Sequence, residues 1–373
     1  MSGLYIHIPF CIRKCAYCDF VSFADHAPMR DYLAALRREM QLRAREGCFA
    51  SFDTVFIGGG TPSVLPAGEV ATLLEAAQGC FSILPDAEIT IETNPGTLTP
   101  DKLSEYAGAG VNRLSVGLQC SQNHLLKAIG RIHTWEDFLQ SWAYIQDAGF
   151  RNSNIDVMYG LPAQTLAAHE ATLRAVAALS PAHISAYSLI LEEGTPLFDA
   201  HPDLPNEDET YAMHLLTRTL LTELGYARYE ISNYAKPGSA CRHNLNYWDN
   251  GAYLGVGLNA YSAWMRPGWT RFCNTADMRA YLAALSRGEL PASYTPIPQR
   301  EEMFECVMLG LRRTDGLDTR AFANRFGVAF ASAYPAATEA LIARGWAVWE
   351  AGRFRLNEEG LDMQNAALLS FMD

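Results

Sequence analysis

Between Leu4 and Leu189 six short apolar runs are each followed by an amphipathic stretch, and no other feature of the 373-residue chain restricts its fold as strongly. The strand candidates are Leu4 to Ile8, Thr54 to Ile57, Glu88 to Glu92, Arg113 to Leu118, Asn154 to Met158 and His183 to Leu189. A helical pattern follows each; the first, Met29 to Arg45, puts Tyr32, Leu36 and Met40 on one face. Strands separated by helices pair through right-handed crossovers, which makes the sheet parallel. The expectation is an α/β fold, a partial parallel (βα)6 barrel over residues 1–200, curved or closed.

In such a barrel the strand C-termini share one rim, so polar groups recurring there converge. Gly58-Gly59-Gly60-Thr61-Pro62 follows the second strand, Glu92 ends the third, Gln119 follows the fourth, and Asp156 sits in the fifth. After Leu191 the alternation fades. A long helical pattern, Asp208 to Leu224, leads into an aromatic-rich elaboration, and residues 201–290 are read as one unit. Pro291 to Pro298 reads as a linker. Residues 298–373 are expected to form a small, mainly helical, winged-helix-like domain, because LIARGWAVWEAGRFRL gives a helix end, a glycine turn and a two-stranded wing.

The chain is 49% hydrophobic and 19% charged, enough to bury a large core. Its formal net charge of -12 argues against a general polyanion binder, and no basic stripe marks the C-terminal wing, so no nucleic-acid partner is expected. No secretory leader and no apolar run of membrane-spanning length is present, which points to the cytoplasm. Nine cysteines, an odd number, do not suggest a secreted disulfide framework, and three of them crowd into eight positions. Cys48, Cys80, Cys120, Cys273 and Cys306 read as buried small hydrophobes.

Cys11, Cys15 and Cys18 are spaced to wrap one centre, and thiolate suits zinc or an iron-sulfur cluster. Zinc would want four closed ligands, with His7 as a fourth, but would not account for the polar strand ends. A 4Fe-4S cluster held by three cysteines leaves one iron open to a small chelating molecule. Spacing alone admits both.

The CxxxCxxC pattern, with Tyr17 just before the last cysteine, resembles the radical S-adenosylmethionine superfamily. That resemblance implies a cluster whose open iron binds S-adenosylmethionine, with the glycine turn receiving the methionyl amine. It narrows to the group of oxygen-independent coproporphyrinogen dehydrogenases and heme chaperones through YIHIPFC, GGGTPS, IETNP, SVGLQ, IGRIH and NIDVMYGLP. By position in those motifs the group implies cofactor contacts at Tyr5, Gly59, Gly60, Thr61, Glu92, Gln119, Arg131 and Asp156, with Tyr17 beside the cluster and softer transfers at Ile190 and Tyr261. Taken alone, Glu92 reads as an ordinary half-exposed strand residue; the ordered set carries the weight.

Two residues patterns separate the branches of that group. The dehydrogenases continue CxxxCxxCxC, where this chain has Phe20, and they carry an N-terminal extension for which the chain leaves no room. Cys241 to Trp248, CRHNLNYW, has an HNxxYW core resembling the heme-binding signature of the chaperone branch. A neutral imidazole is a good axial ligand for heme iron, so His243 is the candidate, with Cys241 as an alternative thiolate and Asn244, Tyr247 and Trp248 around the porphyrin. The bland alternative is a hydrogen-bonded structural histidine beside packed aromatics. His124, His133, His183 and His214 have no comparable setting.

The resemblance therefore implies a heme chaperone that hands heme to apo-hemoproteins such as respiratory enzymes, transiently at the inner face of the membrane, with a homodimer as a further expectation. The competing expectation is oxidative decarboxylation of coproporphyrinogen III.

Overall fold

The computed structural model describes residues 1–265 and 268–372; Arg266, Pro267 and Asp373 lie outside the described residues. Its first half follows the alternation: β1 Ser2–Ile8, α1 Met29–Glu46, β2 Phe52–Gly59, α2 Glu69–Cys80, β3 Ile83–Thr93, α3 Pro100–Gly108 and β4 Arg113–Gln119. There follow α4 Asn123–Ala128, α5 Trp135–Asp147, β5 Ser153–Tyr159, α6 Leu166–Ala178 and β6 His183–Ser188. Local chemistry sets several helix starts. Thr99 caps α3, Thr134 forms a capping box with Asp137 at α5, and Thr165 caps α6.

The six strands β1 to β6 lie side by side in chain order, each paired in parallel with the next. Period-two alternation sorts their side chains. Leu4, Ile6 and Ile8 are fully buried on the helix side, each contributing about 1.5–3 kcal/mol of burial. The opposite face carries Glu88, Glu92, Arg113, Asn154, Asp156 and His183, all in step by register.

The barrel is partial, as expected from the sequence, and it does not close. Beyond β6, the chain runs through α7 Pro196–Asp199, α8 Glu207–Glu223, β7 Ala227–Arg228, β8 Asn233–Ala235 and α9 Arg242–Trp248. It continues through β9 Ala252–Val256, β10 Tyr261–Met265, β11 Trp269–Asn274, α10 Met278–Ser286 and β12 Ala292–Pro296. Strands β8 and β7 extend one edge, while β9 to β12 extend the other beyond β1, giving one open 12-stranded sheet among the described residues. The segment read as a linker is thus the edge strand β12, antiparallel to β11. Its proline and polar residues suit an edge as well as a linker, so composition could not tell them apart.

The C-terminal region has its own hydrophobic cluster, centred on Phe322, Phe330, Leu341 and Phe354. It comprises α11 Gln299–Gly310, β13 Leu317–Asp318, α12 Thr319–Phe326, α13 Phe330–Ala333 and α14 Pro335–Ala343, then the expected wing, β14 Ala347–Glu350 and β15 Arg353–Leu356. Two short helices, α15 Glu358–Asp362 and α16 Gln364–Leu369, close the chain. His214 and Arg218 on α8 both reach Asp362, at 3.0 and 3.1 Å, and tie this region to the sheet. Among the described residues no helix is long and apolar enough to cross a membrane. Cys120 and Cys306 are buried as expected, but Cys48, Cys80 and Cys273 are only half-buried, because they stand at helix ends and near the sheet edge.

One buried polar knot holds the far edge in position. Glu39 on α1 is fully buried and accepts from Tyr281 Oη at 2.7 Å, Asn274 Nδ2 at 2.7 Å and the Gly257 amide at 2.8 Å, beside Arg43 at 3.4 Å. Burial raises its carboxyl, and Arg43 with these donors offsets only part of that rise. Glu39→Ala leaves the buried Tyr281 hydroxyl, Asn274 amide and Gly257 N–H without this acceptor, while Arg43 keeps Glu46 at 3.1 Å, so it is expected to lower stability by about 3 kcal/mol in urea denaturation.

Candidate functional site

Past β1 the chain crosses the strand ends in a loop that carries the three cysteines. Its base is closed by Phe23 N donating to Pro9 O at 2.7 Å and Cys11 N to Phe23 O at 2.9 Å. The glycine turn after β2 is laced to it, with Gly60 N donating to Ile8 O at 2.9 Å and Thr61 N to Phe10 O at 2.8 Å. A Cβ on Gly60 would stand 2.7 Å from Phe10 O and 3.0 Å from Cys11 Sγ, so this contact requires glycine. Gly59 is held at φ +117°, with His7 where its Cβ would be.

Cys11, Cys15 and Cys18 border one cavity of about 390 Å³ together with Tyr17, Gly59, Gly60, Thr61, Glu92, Gln119, Arg131 and Asp156. Nearly the whole set implied by the family resemblance is thereby brought to one place. Tyr5 is not: it borders a second cavity. Ile190, 67% exposed, sits on the rim of the first.

Sequence reasoning missed Asn94, which is the hub of this wall. Its Nδ2 donates to Thr61 Oγ1 at 2.8 Å and its Oδ1 accepts from Arg131 Nη2 at 2.7 Å. Arg131 also donates to Gly117 O and lies 3.5 Å from Cys15 Sγ, while its Nε is buried without a partner. Tyr187 was missed too; its hydroxyl donates to Gln119 Oε1 at 3.2 Å. A signal existed for both, since Asn94 continues the period-two row from Glu92 and Tyr187 that from Ser185.

Burial pushes the Glu92 carboxyl up to about 7, helped by the neighbouring Asp156, against the Gly59 amide that donates to it at 3.0 Å. Asp156 is also raised by burial, although Asn154 Nδ2 donates to it at 2.7 Å and Ser115 Oγ at 3.3 Å. Two half-buried carboxylates at the cavity wall, displaced toward neutrality, suit a ligand that brings positive charge and hydroxyl donors. The ammonium, sulfonium and ribose of S-adenosylmethionine meet that description. Among the described residues no three His, Cys, Asp or Glu side chains gather closely enough to hold one metal ion. A zinc site needs every donor about 2.3 Å from one point. Three thiols spread around one cavity fit a cluster that takes each at a different iron.

The HNLNYW segment forms α9, beneath the concave face. Glu88 Oε2 and Oε1 accept from the Arg242 and His243 amides at 3.1 and 3.0 Å, fixing the start of the helix to β3. His243 is 1% exposed, and both ring nitrogens are engaged: Nδ1 with Thr54 Oγ1 at 2.7 Å and Nε2 with Tyr247 Oη at 2.9 Å. It stacks on Phe56, and burial with the nearby Arg113 pushes its pKa down to about 3, leaving it neutral. Cys241 is fully buried against Glu88, with burial pushing its thiol up to about 12, and borders neither cavity.

The second cavity, about 570 Å³, is bordered by Tyr247 and Trp248 of α9, Tyr5, Tyr253 and Tyr261, and by α11. Asp19 and Phe20, at the end of the cysteine loop, border both cavities. His243 and Asn244 do not border it; Tyr247 stands between His243 and the space.

The radical SAM superfamily model matches residues 5–176, and the HemN C-terminal domain model matches residues 297–363. The coproporphyrinogen III oxidase (HemN) structure from Escherichia coli superposes with a TM-score of 0.86 at 23% identity, covering 99% of this chain and 89% of that one. The fold is that of the radical SAM proteins, whose 4Fe-4S cluster and S-adenosylmethionine the first cavity fits. The heme chaperone HemW of Escherichia coli (strain K12) is 35% identical over 372 residues, 99% of this chain and 98% of the relative. That of Bacillus subtilis (strain 168) is 34% identical over 352 residues, 92% of each. The chain belongs to the HemW family.

Binding of S-adenosylmethionine is expected to strengthen as pH rises from 6 to 8. Glu92 is raised to about 7, so it loses its proton through that window and only then offers a full charge. Equilibrium dialysis at both pH values checks this; Glu92→Gln is expected to weaken binding about tenfold and to flatten the pH dependence.

Proposed function

We propose that the chain is a heme chaperone, binding heme and handing it to apo-hemoproteins. Its full-length likeness to relatives named for that role supports this, and the observation that carries it here is the HNLNYW helix bordering an aromatic cavity beside the cysteine loop. Cys11, Cys15 and Cys18 are the proposed ligands of the 4Fe-4S cluster, which with S-adenosylmethionine supplies one-electron chemistry when bound. Glu92 and Asp156 take the positive charge and hydroxyls of that nucleotide, Arg131 its carboxylate, and Gln119 its remaining donors.

His243 remains the proposed axial ligand, on a condition the geometry sets. Its Nε2 meets the Tyr247 hydroxyl, and Tyr247 borders the second cavity, so ligation requires that phenol to swing aside. Division of labour then follows residues 1–200 for the cluster, 201–290 for the heme motif and 298–373 as a cap. Respiratory hemoproteins are the proposed recipients, met at the inner face of the membrane, with a homodimer as the working form.

The competing reading is a coproporphyrinogen III dehydrogenase. Phe20 stands where that branch carries a further cysteine, and it is 63% exposed between the two cavities. Anaerobically reconstituted protein is expected to transfer heme to an apo-hemoprotein and to leave coproporphyrinogen III unchanged in the presence of S-adenosylmethionine and reductant; turnover to protoporphyrinogen would sink the chaperone reading. His243→Ala is expected to shift or abolish the Soret band, whereas Tyr247→Phe, which frees Nε2, is expected to retain it.

A further inference from the structure

Strand register continues the concave face beyond the six parallel strands. Gly3 pairs with Tyr253, Tyr253 with Ala263 and Ala263 with Arg271, so these residues form one row across β1, β9, β10 and β11. The row runs under the second cavity. Ala263 is a small floor between the Tyr253 ring and the Arg271 guanidinium, and it is 1% exposed. The roof is α11, which presents Glu305, Met308 and Leu309 at helical spacing.

Three features of this space are unexplained by packing. Tyr261 and Phe20 are 51% and 63% exposed at its margin, where aromatic surface is left for something to cover. Asn250 is 4% exposed, yet its amide Nδ2 is buried with no hydrogen-bond partner. Arg271 reaches across from the sheet to Glu305 on α11, at 2.9 Å. The site thus combines a small-residue floor, aromatic walls, an unpartnered donor and a cation held by a displaceable carboxylate. At about 570 Å³ it lies within the ordinary range of cofactor pockets.

Resting on the heme reading above, we infer that this cavity is the porphyrin seat, shared between the sheet edge and the C-terminal region, and that Arg271 exchanges Glu305 for a propionate carboxylate of the bound heme. Glu305 is then a competitor that holds the guanidinium while the seat is empty. Asn250 supplies a second donor to carboxylate oxygen. Because α11 forms the roof, separation of the C-terminal region from the sheet opens the seat.

Hemin titrations of the full chain, followed by the Soret band and by quenching of tryptophan fluorescence, test this. Arg271→Gln is expected to weaken hemin binding about tenfold, and Glu305→Gln to tighten it, an opposite sign that a merely structural ion pair would not give. Hemin dimethyl ester, which lacks the carboxylates, is expected to bind the wild-type chain and Arg271→Gln alike. Met308→Glu is expected to abolish binding, and Leu369→Glu, exposed on α16, to leave it unchanged. Unaltered denaturation midpoints identify variants that fold. If wild-type chain takes no hemin, the heme reading falls; if it does and the three cavity variants match it, the seat lies elsewhere and this inference alone is overturned.

Discussion

A parallel sheet normally buries both faces in aliphatic side chains, and this one withholds that from its concave face. Glu88 and Arg113 are buried there and Glu92 and Asp156 half-buried, where an isolated charge is costly, so each must find donors, a counter-charge or a ligand. The rest of the molecule is arranged around that requirement. At the lower end Glu88 is answered by the amides of α9 and the thiol of Cys241. At the upper end burial raises both Glu92 and Asp156 despite the donors they receive, and the space left beside them is the first cavity.

The same row explains why the HNLNYW segment is placed as it is. Glu88 fixes the start of α9 by accepting its leading amides, and the position of that helix brings His243 against Gly3, where a Cβ would stand 2.9 Å from the imidazole. The glycine at position 3 is thus a requirement of the histidine 240 positions later. Neutral, stacked and bonded at both nitrogens, His243 is held as a structural histidine would be, and any ligand role acts through the one mobile partner, Tyr247.

Much of this was legible in the sequence because parallel strands and their rim are written in local patterns. The six strands fall where the apolar runs put them, and the cysteines, glycine turn, Glu92, Gln119, Arg131 and Asp156 meet because strand C-termini share one edge. What was not legible depends on long-range register. Nothing near Pro291 to Pro298 announces pairing with β11, and nothing near Tyr5 tells which of two neighbouring cavities it borders. Asn94 escaped because an asparagine before proline reads as a turn residue; its bonds to Thr61 and Arg131 join segments far apart in the chain.

The cysteine loop does more than hold sulfur ligands. It leaves Cys18 and immediately supplies Asp19 and Phe20 to the wall between the cavities. A further cysteine at position 20 would bring a thiol to that partition; phenylalanine gives it an apolar surface instead. The loop's base is fixed by Phe23 and the glycine turn, which sets where Asp19 and Phe20 stand relative to the sheet. Asp19 and Phe20 are thus the residues that the two cavities have in common, so the side chains at these positions shape both spaces at once.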